Sequence, residues 1–344
     1  MKVLVTGAGG FLGTHVVERL LAHGYSDLRC HLRDRSKTMR LQSVADPYPD
    51  ARLEFCYGNL RSKETCAEAA AGVALVVHLV AGMRGAPAEL FADSVVGSRN
   101  LLDALEARND IAITQTRVVV VSSFGVYDVV SLRRGALIDE STPLESHPEL
   151  RDTYSHSKLR QEQLFWEYQK KDSFELVVVR PGVIYGPGCG AFSTRVGLQI
   201  GPIFFHLGGS NLLPMSYVFN CAEAIAVAAG HPAASGHVYN VHDDVLPTAS
   251  HYLREYKRHV KNIRSIRLPY FAIRILASML ERYHRRSQGQ LPGIITRYKA
   301  AAAWGGNRFN NAKLHSLGWR QLVATPEALA RTFDYLRQKN AQAS

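Results

Sequence analysis

The chain has 344 residues, 46% of them hydrophobic and 21% charged, an ordinary globular composition that excludes disordered, fibrous and collagen-like classes. That length exceeds one compact core, so a large domain with a smaller lobe is expected. The formal charge of +11 bears on partners rather than on fold.

The five cysteines (Cys30, Cys56, Cys66, Cys189, Cys221) form no CxxC pair and no Cys/His cluster. Reduced thiols are therefore expected, with no disulfide framework and no metal site. Met1-Lys2 leads straight into Val3-Leu4-Val5, without the long apolar region of a secretory leader. No run approaches the roughly 20 apolar residues of a membrane span. A cytoplasmic location is the expectation.

Along the first 180 residues, short β-branched runs alternate with helical patterns. Strands are predicted at Lys2–Thr6, Asp27–Leu32, Arg52–Tyr57, Ala74–Leu79, Arg117–Ser122 and Glu175–Arg180. Amphipathic helices are predicted at Phe11–Ala22, Lys63–Ala71, Ala88–Ala107 and Thr153–Lys171. This rhythm predicts βαβ units and a parallel sheet covered on both faces, an α/β Rossmann fold with a doubly wound sheet. After Arg180 it gives way to Gly, Pro and aromatic residues, with one more strand at His237–Val241 and an amphipathic helix at Leu268–Tyr283. The expected layout is a dinucleotide-binding domain over 1–182, with 211–246 returning to it. A smaller, interleaved C-terminal substrate lobe takes 183–210 and 247–335.

The first strand ends in Gly7-Ala8-Gly9-Gly10-Phe11-Leu12-Gly13. One glycine permits a tight turn, one lets backbone approach a pyrophosphate, and one lets the helix pack on its strand. The helix start at Phe11 and Leu12 offers uncapped amides and a positive dipole end. At the end of the second strand, Arg33 and Arg35 can pair with a 2′-phosphate, with Asp34 as a counter-signal. NADP(H) is thus preferred, with NAD(H) as the alternative.

Tyr154-Ser155-His156-Ser157-Lys158 puts a Tyr and a Lys at i and i+4 on one helix face. A nearby ammonium favours a phenolate, moving tyrosine from its reference pKa near 10 toward working pH. The buried strand Val118–Val121 ends in Ser122-Ser123-Phe124-Gly125-Val126-Tyr127.

Glycine turn, serine strand and Tyr/Lys helix, in that order, resemble the extended branch of the short-chain dehydrogenase/reductase superfamily. The resemblance implies that Ser123 holds the reacting oxygen, Tyr154 is the acid–base, and Lys158 tunes Tyr154 and holds the nicotinamide ribose. It also implies cofactor contacts at Asn59 and Leu60, at Val80 and Ala81, and at Pro181 and Val183. Ser123-Phe124-Gly125 stands where dehydratases of this branch carry Thr-Asp-Glu, and Val183 where epimerases usually carry Asn. Tyr217-Val218-Phe219-Asn220 is more similar to the 3β-hydroxysteroid dehydrogenases. A hydroxyl/keto oxidoreductase with a small, largely apolar substrate is therefore expected, with a nucleotide-sugar epimerase as the alternative and a non-catalytic dinucleotide sensor behind both. Substrate contacts are expected from Arg84, Phe124, Tyr185 and Phe192.

Between His251 and Gln290 stand ten Lys/Arg against Glu255 and Glu281. In the same stretch Leu268, Phe271, Ile275, Met279 and Tyr283 recur near helical spacing, and Arg274 argues against spanning. Two readings stay open: a core face packed over the substrate pocket, or peripheral membrane contact through 264–286. A homodimer, a small-molecule substrate and no nucleic-acid partner complete the expectations.

Overall fold

The computed structural model describes the chain except residues 84, 109–115, 172–173, 270, 272–274, 276–277, 280–281, 284–285, 287–296 and 343–344. Seven parallel strands form the central sheet: β1 (Lys2–Thr6), β2 (Asp27–Leu32), β3 (Arg52–Tyr57), β4 (Leu75–His78), β5 (Arg117–Val121), β6 (Glu175–Pro181) and β7 (His237–Val241). Their spatial order is β7-β6-β5-β4-β1-β2-β3. The chain winds outward from β1 to β3, then crosses back to β4 and winds the other way. That reversal between β1 and β4 opens a crevice at the strands' carboxyl ends.

Helices α1 (Phe11–Ala22), α2 (Thr38–Ala45), α3 (Lys63–Ala70), α4 (Pro87–Phe91), α5 (Gly97–Ala107), α6 (Thr153–Gln169), α7 (Val218–Gly230) and α8 (Ala249–His259) follow in chain order. The strand pleat explains why both sheet faces are apolar. Val119 and Val121 of β5 join the cluster under α1 and α7, with Val16, Leu20 and Ile225. Val118 and Val120 join the opposite cluster under α3, α5 and α6, with Cys66, Leu101 and Phe165. The predicted helix 88–107 is α4 and α5 joined through a π-helical turn at Ala92–Val96.

Beyond β6, the pieces are short. Val183–Tyr185 pairs with Met215–Tyr217. Gly197–Ile200, Ile203–His206 and Ser265–Arg267 make a three-stranded sheet. One aromatic cluster, with Phe204, Tyr252, Tyr256 and Phe333, draws on residues from 185 to 336. Phe271, Ile275, Met279 and Tyr283, expected as core on one reading, are 68%, 59%, 65% and 57% exposed. No described helix is long and apolar enough to cross a membrane.

Candidate active site

Two cavities meet at one wall. The larger, about 660 Å³, lies along the carboxyl ends of the sheet at the β1/β4 reversal. The smaller, about 350 Å³, lies between the sheet edge and the lobe. Ser123, Tyr154 and Gly182 line both.

The larger cavity is shaped for a dinucleotide. Gly7 turns at φ +70°, and a Cβ on Gly13 would stand 2.2 Å from the Gly7 carbonyl oxygen, so α1 could not sit so close with any side chain there. Gly10 caps α1 without a side-chain acceptor, and its first turn carries no acid. The amides of Phe11, Leu12 and Gly13 are thus left to an anion, as a pyrophosphate requires. Asn59, Leu60, Val80, Ala81 and Pro181 also line this cavity, as expected.

At its adenosine end stand Arg33, Asp34 and Lys37. Arg33 pairs with Asp93, whose other oxygen accepts from Arg61 Nε at 2.8 Å. Asp34 is occupied locally, accepting from the Ser36 amide at 2.8 Å. Arg35 is a correction: its guanidinium lies over the Tyr57 ring, 4.9 Å from the centroid, outside the cavity lining. Lys37, two residues on, does line the cavity.

At the junction, the Tyr154 and Ser123 side chains line the wall common to both cavities. Burial raises the Tyr154 pKa above its ordinary value, and the nearby Ser123 hydroxyl offsets part of the rise. The expected lowering by Lys158 is corrected here: the Lys158 ammonium engages other groups. It donates to the Val121 carbonyl at 2.6 Å and to Gln161 Oε1. Burial pulls the Lys158 pKa down to about 7, against the raising effect of Glu162.

The helix face beneath holds these groups in place. Gln161 Nε2 donates to the Val80 carbonyl at 2.9 Å and to Ser98 Oγ at 2.8 Å. Glu162 is buried against Arg180 and accepts from Arg180 Nε at 3.1 Å, clamping α6 to β6. Sequence reasoning missed Gln161 and Glu162. Their spacing of three and four from Lys158, on the face that carries Phe165, was the available signal.

The smaller cavity is lined by Phe124 and by Val183, which does not line the larger one. Arg195, Thr194 and Tyr298 complete its polar lining with Asp152. Asp152 is spent capping α6, accepting from the Ser155 amide at 3.1 Å. Arg195 donates to the Ala302 carbonyl at 2.6 Å, and among the described residues no carboxylate pairs with it. Burial lowers its pKa, partly offset by Tyr298.

Two substrate candidates lie elsewhere. The Tyr185 hydroxyl donates to buried Asp243 at 2.8 Å, and Asp243 also accepts from Asn220 Nδ2 at 2.9 Å. Burial lifts the Asp243 pKa to about 6, against those hydrogen bonds. Phe192 packs on Phe204, with ring centroids 4.5 Å apart. Both belong to the lobe's aromatic core because apolar burial there outweighs exposure to a pocket. Arg84 lies outside the described residues. His156 meets the edge of Phe91 and takes no part. Among the described residues, no group of His, Cys, Asp and Glu could hold a metal ion.

Fold and site define an NAD(P)-dependent oxidoreductase of the short-chain dehydrogenase/reductase class. Residues 3–241 match the model of the NAD-dependent epimerase/dehydratase family, and the chain belongs to that family. It is 28% identical to an N-acetyl-α-D-glucosaminyl-diphospho-ditrans,octacis-undecaprenol 4-epimerase of Escherichia coli O157:H7, over 97% of this chain and 95% of the relative. It is also 28% identical to a decarboxylating sterol-4-α-carboxylate 3-dehydrogenase of Candida albicans, over 66% of this chain and 64% of that one. The latter likeness agrees with the expected 3β-hydroxysteroid-dehydrogenase-like resemblance. A short-chain dehydrogenase/reductase from Agrobacterium tumefaciens, solved with bound NAD, shares the fold. Its TM-score is 0.70 at 21% identity, covering 100% of this chain and 99% of that one.

Proposed function

We propose that this chain interconverts a hydroxyl and a keto group on a small substrate with NADP(H). The carrying observation is that the Tyr154 and Ser123 hydroxyl side chains both line the wall shared by the two cavities. A carbonyl oxygen entering from the lobe side would meet both hydroxyls. A nicotinamide held in the larger cavity would supply the hydride chemistry at the substrate carbon. Tyr154 gives its proton to the developing alkoxide in reduction and takes one from the alcohol in oxidation. Ser123 orients that oxygen. Lys158, whose pKa burial lowers to about 7, stands one helical turn from Tyr154 and lines the same cavity, within the proton economy of the site. The Arg33 and Lys37 cations support NADP(H) through a 2′-phosphate.

Tyr154→Phe is the test. Turnover should fall by about 10²–10⁴-fold, the range of a lost general acid, while NADPH affinity changes little. Near-normal activity in this variant would refute the assignment.

A second reading is epimerisation of a diphospho-sugar. It is favoured by Arg195, a cation in the smaller cavity with no carboxylate partner among the described residues. The near-complete span of the likeness to the Escherichia coli 4-epimerase supports it as well. Inversion of a sugar carbon without net consumption of NADPH would select this reading; net NADPH oxidation against a ketone would select the first.

A further inference from the structure

The lobe carries an uncovered apolar surface that the catalytic reading does not use. Residues paired across a sheet share a face. Ile203 pairs with Ile200, and Phe205 with both Leu198 and Ile266, so these five lie on one face of the three-stranded sheet. Phe204 points the other way, into the aromatic core. Part of the apolar face is covered, since Leu198 packs against the cluster of Ala303 and Trp304. Each edge strand remains open at one position, Ile200 on one side and Ile266 on the other, 53% and 49% exposed. Just downstream, Phe271, Ile275, Met279 and Tyr283 are helical and more than half exposed, at four-residue intervals.

The charge around this surface selects its occupant. From Lys257 to Arg286 there are nine Lys/Arg and one acid, Glu281. Lys261, Arg264, Arg267, Arg282 and Arg286 are exposed, and no carboxylate among the described residues pairs with any of them. A second copy docked face to face would set two such cation clusters against each other, a like-charge juxtaposition costly to an isologous contact. An anionic bilayer supplies both an apolar layer for the isoleucines and aromatics and phosphates for the arginines.

We infer that this lobe docks on an anionic lipid bilayer through the exposed sheet face at Ile200 and Ile266 and the exposed helical residues Phe271, Ile275, Met279 and Tyr283. The docking face and the smaller cavity share a structural element. The helix Arg297–Trp304 sends Tyr298 and Ala302 into the cavity and Ala303 and Trp304 beneath Leu198 and Leu268. Docking therefore brings the substrate-side cavity within one helix of the membrane, suited to a substrate carried on a lipid.

Flotation of the full chain with phosphatidylcholine vesicles, with and without phosphatidylglycerol, tests the inference. At low salt the protein should float with the phosphatidylglycerol vesicles, and binding should fall steadily as salt rises. Arg264→Glu with Arg282→Glu should weaken it by roughly 25-fold or more, at about fivefold per arginine removed. Phe271→Ser with Met279→Ser should abolish the part that survives high salt. NADPH affinity should be unchanged in both variants, since neither touches the cofactor cavity. Wild-type protein that stays unbound at low salt would overturn the proposal without recourse to any variant. So would binding indifferent to both double variants, or a homodimer in solution that Phe271→Ser with Met279→Ser dissolves.

Discussion

The two walls of the site are built in different ways. The cofactor wall is made of strand ends and helix starts within the sheet, each fixed by its neighbours in sequence. Gly7, Gly10 and Gly13 lie within seven residues, and Tyr154 and Lys158 lie on one helix turn. The substrate wall is assembled from segments far apart in the chain, with Thr194 and Arg195, Pro214, and Tyr298 and Ala302 converging on one cavity. A wall made of local turns is constrained by backbone geometry, which tolerates little change. A wall made of distant loops is constrained only by what packs behind it, so its chemistry is free to vary while the cofactor half stays fixed.

The sharpest way to break this comparison is at the clamp that serves both walls. Arg180→Met leaves Glu162 buried without its partner, and should cost about 3–5 kcal/mol of stability in urea unfolding. Because α6 carries Tyr154 and Lys158, both cofactor and substrate affinity should suffer. A loss below about 1 kcal/mol would mean that the clamp does not hold the two walls together.

Smaller effects should separate the walls. Arg33→Ala should weaken NADPH binding by about 1.5–3 kcal/mol while leaving NADH binding and substrate KM largely unchanged. Calorimetric titration with each cofactor checks it, and equal losses for both would remove the basis for NADP preference. Arg195→Met should raise KM for an anionic substrate by about 1.5 kcal/mol with NADPH affinity unaltered. A fall in NADPH affinity instead would place Arg195 on the cofactor wall.

A further expected effect is a pH dependence of stability to which the buried histidines His31 and His78 contribute. Burial lowers the His31 pKa from its ordinary 6.5 to about 4, and that of His78 to about 3. A histidine whose folded pKa is depressed takes up protons more readily when unfolded. Its stabilising contribution is therefore complete above about pH 6.5 and is lost as pH falls through 6.5 toward 4. Melting temperature should decline across that window, and His31→Asn should flatten the decline. An unchanged slope in the variant would assign the acid sensitivity to other groups.

The sequence by itself determined the sheet and most of the cofactor wall. Strands β1, β2, β3 and β7 coincide with their predicted ranges because apolar runs bounded by turns leave little choice of register. The glycine turn and the Tyr/Lys spacing were legible for the same reason: the geometry they need is contained in a few consecutive residues. Tertiary structure alone decided the rest. It sent Arg35 to the Tyr57 ring and brought Lys37 to the cavity, a choice between neighbouring cations that no spacing fixes. It took Tyr185 and Phe192 into the lobe's core, because an aromatic residue reads alike whether it lines a pocket or fills an interior. It paired Lys158 with Gln161 and the Val121 carbonyl instead of Tyr154, because buried donors are satisfied by whatever acceptor the packing brings near. It also left Phe271, Ile275, Met279 and Tyr283 exposed. An apolar helical stripe shows that a face wants covering, and only the arrangement of the other elements decides whether the protein covers it.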